Sequence, residues 1–134
     1  MEVKQNLVAE DKYGLKCPYS LVPKSVTIHN TANDASAIDE INYMIRNDKK
    51  VSFHYAVDDQ EIIQGIKDNR NAWHCGNNTG NRNSLSIEIC YSEVGGKKFD
   101  LAEKRAAKFA ADKLKQYGLG IDKLRTHQSW SGKY

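Results

Sequence analysis

Three side chains in this sequence have the chemistry for a polar reaction centre if the fold gathers them: His29, Glu88 and His127. Imidazoles supply neutral nitrogen ligands to a metal or carry protons near neutral pH, and a carboxylate serves as a general base. His29 closes "SVTIH", where Val26 and Ile28 alternate with Ser25, Thr27 and His29, so a strand here projects His29 away from its apolar face. Glu88 lies in "SLSIEICYS", with Leu85, Ile87 and Ile89 facing one way and Ser86, Glu88 and Cys90 the other. His127 ends "IDKLRTH", read as a short strand that delivers it at its end. Such an arrangement can converge at one edge of a sheet. A strand-end histidine also serves as a hydrogen-bonded structural group and a strand carboxylate as a lysine partner, and the pattern leaves both readings open.

The elements that must position these groups read as follows. "CPYSLVPK" holds both prolines and makes an extended or turning lead-in to the first strong strand. Ser36 caps a helix over 37–47, with Ile38, Ile41 and Ile45 at helical spacing beside Tyr43 and Met44. "SFHYAV" and "EIIQGI" form a hairpin across Asp58 and Asp59. Residues 67–83, rich in asparagine, predict an irregular surface loop bordering a cleft, and His74 is read as a surface residue of that loop. "LAEKRAAKFAADKLKQYGLG" is the clearest helix: Leu101, Ala106, Phe109, Ala110, Leu114 and Tyr117 form its apolar stripe and Gly118 ends it. The expected fold class is α/β, a single domain with a mixed central sheet of about five strands flanked by helices.

Composition excludes several classes. The 134 residues fit one domain, which at this size buries roughly two thirds of its extended-chain surface and needs no staples. No apolar run approaches the ~20 residues that span a membrane, so no membrane insertion is expected. The net charge of +3 comes from Lys and Arg spread along the chain rather than gathered in a stripe, which argues against a nucleic-acid partner. Cys17, Cys75 and Cys90 are odd in number and lack CxxC spacing, as reduced structural thiols would. "MEVKQNLVAEDKYG" carries no secretory signal, so synthesis in a cytoplasm is expected, and a monomer with it.

"SVTIHNTA", "SFHYAVDD", "NAWHCG", "SLSIEIC" and "RTHQSWSGKY", in this order and at these separations, resemble the catalytic domain of the type 2 N-acetylmuramoyl-L-alanine amidases, especially the endolysins of Bacillus phages and prophages. The likeness runs from about Cys17 to the last residue, and the family is related to the peptidoglycan recognition proteins. It implies a zinc ion held by two histidines and a cysteine, with His29 and His127 matching the histidines. The family's cysteine stands eight residues beyond the second histidine, the position immediately after Tyr134, and none of the three cysteines matches it. The expected organisation is therefore one amidase-type domain over 1–134, stopping before the third ligand and without a wall-binding domain.

The resemblance further implies that Glu88 takes a proton from the zinc-activated water and hands it to the leaving alanine amine, and that Lys133 stabilises the oxyanion. His54 is expected to orient a ligand or line the cleft, or else to be structural, and Trp73 to stack on glycan or peptide, or else to pack. Phe53 stands where some members have a catalytic tyrosine, so no tyrosine role carries over. Cys90 shares a strand face with Glu88 but reads as a packed thiol. The implied activity is zinc-dependent cleavage of the amide between N-acetylmuramic acid and L-alanine in bacterial peptidoglycan, at the cell wall after release from the cytoplasm. The alternatives are a non-catalytic peptidoglycan-binding module or an inactive shortened piece of the enzyme.

Overall fold

Alternating β-branched and polar residues build the centre of the molecule, and two amphipathic helices cover its faces. The computed structural model describes residues 1–132, so the expectation for Lys133 lies outside the described residues. Six strands form one sheet: β1 (Lys4–Gln5), β2 (Ser25–Asn30), β3 (Tyr55–Val57), β4 (Ile62–Gln64), β5 (Ser84–Ile89) and β6 (Leu124–Thr126). Their order is β1-β4-β3-β5-β2-β6. Among the strand pairs of the described residues only β3–β4 is antiparallel, which makes the sheet mixed as expected. The sequence reading of about five strands omits β1, whose two residues are exposed and carry no alternation to betray them.

The helices are α1 (Tyr13–Lys16), α2 (Ala37–Arg46), α3 (Asn78–Asn83), α4 (Gly96–Gln116) and α5 (His127–Ser131). Ser36 caps α2 by accepting from the Asp39 N–H, as its position predicts. The buried stripe of α2 is Ala37, Ile41 and Met44, whereas Ile38 and Tyr43 are exposed. Along α4 the buried residues are Ala102, Ala106, Phe109, Ala110 and Leu114, while Leu101 faces solvent. No helix among the described residues is long and apolar enough to cross a membrane.

The two sheet faces differ in chemistry. Val26, Leu85, Ile87, Ile89, Tyr55 and Val57 pack with the α4 stripe in one apolar cluster. On the opposite face α2 packs over Ala56, Ile63 and Ile66, but toward β2 and β5 the interior turns polar: Thr27, His54, Ser84 and Ser86 are all fully buried. Buried polar groups persist only when hydrogen-bonded, so this polar interior must be a connected network. It lies directly behind the candidate site.

Candidate active site

Parallel pairing of β2 with β5 sets His29 opposite Glu88 in register, and β6 runs beside β2 on its other side. The sheet thus brings together the three groups that sequence spacing singles out. His29 Nδ1 lies 3.8 Å from Glu88 Oε2, and the rings of His29 and His127 cross at 76° with centroids 5.0 Å apart. His127 begins α5 rather than ending a strand, because the Thr126 hydroxyl accepts from the Ser129 N–H and turns the chain into a helix there.

Charge in this cluster is suppressed. Burial, and secondarily His127, pulls the His29 imidazolium down to about 3, and burial, and secondarily Glu40, pushes the Glu88 carboxyl up to about 8. The 3.8 Å approach is therefore a contact of neutral groups near pH 6, beyond hydrogen-bond reach, rather than an ion pair. A buried neutral imidazole beside a carboxyl of raised proton affinity is the state that a cation entering between them would convert.

The hydrogen bonds behind His29 bear on which of its nitrogens carries the proton. His74 Nε2 lies 3.3 Å from the Ser84 carbonyl oxygen, which can only accept, so His74 carries its proton on Nε2 and offers Nδ1 as an acceptor. His29 Nε2 lies 2.9 Å from that Nδ1 and must donate to it. His29 Nδ1 is then left with its lone pair on the side of Glu88. His74 is itself held by Asn81 of α3, whose Oδ1 accepts from the backbone N–H groups of His74 and Cys75. The segment expected as a surface loop is thus packed in its middle, with Asn71, Ala72 and Cys75 fully buried and His74 half-buried rather than on the surface, while Lys67, Asn69 and Asn78 are exposed.

α5 is tied down by Trp130, which the sequence reading passes over. Its indole N–H donates to Thr27 Oγ1 at 2.9 Å, and that hydroxyl shares a 2.6 Å hydrogen bond with Ser84 Oγ. The Arg125 guanidinium covers the outer side of the ring at 3.9 Å. Gly80 makes room for this contact: a Cβ there would run into Cys75 Sγ and lie 2.8 Å from Trp130 Cδ2.

Two expected substrate contacts lie elsewhere. His54 is fully buried, its Nε2–H donating to the Arg70 carbonyl at 2.7 Å and its Nδ1 accepting from the Ser86 N–H at 3.0 Å, so it does not line the cleft. Trp73 gives its indole N–H to the Leu15 carbonyl and lies under the Lys50 ammonium with Tyr19 against it edge-on, so it packs. Both polar handles are spent within the chain. Cys17, Cys75 and Cys90 are free and buried, and burial pushes the Cys90 thiol well up, as packed thiols require.

A cavity of about 660 Å³ opens at this end of the sheet, bordered by His29, His127, Glu93, Glu103, Ser92 and Gln128 among others. Imidazole nitrogens suit zinc, and the donor pattern at His29 fits a ligand whose other ring nitrogen is anchored, so His29 and His127 fit two positions of a zinc site. Among the described residues no set of three His, Cys, Asp or Glu side chains gathers to hold a metal.

Comparison with known proteins bears on the same region. Residues 19–134 match the family described as N-acetylmuramoyl-L-alanine amidase. The chain is 59% identical over 135 residues to the N-acetylmuramoyl-L-alanine amidase XlyB of Bacillus subtilis (strain 168), covering 98% of this chain and 43% of that protein. It is 57% identical over 137 residues to the amidase CwlA of the same organism, covering 100% of this chain and 50% of that protein. Among solved structures, PlyL superposes with a TM-score of 0.98 at 53% identity, covering 100% of this chain and 86% of that chain. The chain spans about half the length of the curated relatives it matches.

Proposed function

The chain belongs to the N-acetylmuramoyl-L-alanine amidase family, and from that premise we propose that it is the catalytic domain of a zinc-dependent peptidoglycan hydrolase that cleaves the amide between N-acetylmuramic acid and the L-alanine of the stem peptide. One observation carries the reading: His29 Nδ1 lies 3.8 Å from Glu88 Oε2, with the ring of His127 5.0 Å from that of His29 between centroids. His29 and His127 would hold the zinc ion. When bound it supplies a Lewis acid and brings the pKa of a coordinated water near 7. Glu88 accepts the proton of the water that adds to the lactyl carbonyl and delivers it to the alanine nitrogen as the C–N bond breaks. Its raised proton affinity suits a group that must hold and release a proton near neutral pH. Lys133 is the proposed oxyanion partner. Bacterial peptidoglycan is the proposed partner, the cell wall the place of action, and the monomer the working form.

The second reading is a module that binds peptidoglycan without cutting it. Mass spectrometry of purified Bacillus peptidoglycan incubated with this chain and zinc, against a chelated control, separates the two. Zinc-dependent release of alanine amino termini and peptide-free glycan is expected; wall binding with no such products leaves the binding module or an inactive shortened piece, which the same assay on a chain extended through a cysteine separates.

A further inference from the structure

We propose that His74 is the positioning residue of the site, fixing His29 as its Nε2–H tautomer so that the nitrogen on the Glu88 side, Nδ1, stays unprotonated. The inference rests on the proposed function only where it takes His29 to be a zinc ligand. An isolated neutral imidazole exchanges between two tautomers, and one of them would put a proton on the nitrogen that faces Glu88. The chain removes that freedom in a one-way sequence. The Ser84 carbonyl can only accept, so His74 Nε2 donates at 3.3 Å; His74 Nδ1 can then only accept, so His29 Nε2 donates at 2.9 Å. Reversing the first step would set two lone pairs against each other. Two backbone N–H bonds to Asn81, at 2.8 and 3.0 Å, hold the segment that carries His74, and Ser84 begins β5, so the origin of the relay is the sheet itself. The rings of His29 and His74 stand at 88°, their centroids 5.1 Å apart, so the contact is made edgewise through the nitrogens rather than by stacking.

The test is two-bond ¹⁵N–¹H correlation on the metal-free chain, with zinc affinity measured by competition against a chromogenic chelator. The wild type should show His29 as the Nε2–H form. His74→Ala should give His29 signals averaged between tautomers and zinc binding weaker by about 10–100-fold. His74→Asn, whose amide oxygen can accept where Nδ1 did, should restore both, which separates a lost acceptor from lost packing. A wild-type His29 protonated at Nδ1, or a tautomer unchanged in His74→Ala, would overturn the inference. A wild type with the expected tautomer that takes up no zinc supports the tautomer assignment and instead overturns the reading of this chain as a zinc-binding site on its own.

Discussion

At the scale of single residues, the proposed reaction needs one group that moves a proton and others that do not. Glu88 sits in register with His29 but beyond hydrogen-bond reach of it, so its carboxyl is not tied to the imidazole. Glu88→Gln keeps the shape and removes the base: amide cleavage should fall by about 10²–10⁴-fold while zinc uptake is retained, as steady-state assay and chelator competition would read. Equal loss of both would mean that the side chain acts in metal binding instead. His29 and Glu88 were legible in the sequence because each closes or interrupts an alternating run, and His127 through the motif "RTHQSWSGKY". His74 was not, since its value comes from a contact across 45 positions of chain and no local period marks it.

At the scale of elements, the cleft is an agreement between the sheet and α5. Register along β2 and β5 sets one side of it, and the indole of Trp130 sets the other by reaching Thr27. Gly80→Ala should push α5 outward, because its methyl group meets Cys75 Sγ and the Trp130 ring in a space with no slack. A loss of about 1–3 kcal/mol in thermal unfolding, with a shifted tryptophan emission and reduced amidase rate, is expected. Gly14→Ala, where an added methyl meets open space, should leave all three unchanged. Strands, hairpin and the two long helices followed from periodicity. The β6–α5 junction did not, since the Thr126–Ser129 capping box that starts a helix at His127 leaves only five residues of pattern. Residues 67–83 misled for the opposite reason: their asparagines look like solvent-facing loop, yet Asn71 and Asn81 are buried to satisfy backbone groups.

At the scale of the whole molecule, Asp68 binds the sheet to α4. Its carboxylate accepts from Lys113 at 2.8 Å, from the Tyr117 hydroxyl at 2.5 Å and from the Tyr55 hydroxyl. Burial alone would raise this carboxyl, but those donors outweigh it and hold it below the usual carboxylate range. A depressed folded pKa contributes stability that is present above the unfolded value of about 4 and is lost as pH falls through the folded one. Acid titration of unfolding should therefore show a falling limb below about pH 4, and Asp68→Asn should flatten it while costing about 2 kcal/mol at neutral pH. A mutant with an unchanged limb would assign it to other carboxylates. The two sides of the cleft also differ in how long they last. His29 and Glu88 belong to paired central strands and persist as long as the sheet does, whereas α5 buries no residue fully and is held, beyond its three-residue edge strand, chiefly by Trp130. Elements of that kind open at a free energy well below that of global unfolding. The reaction centre can therefore come apart and reassemble many times within the lifetime of one folded molecule.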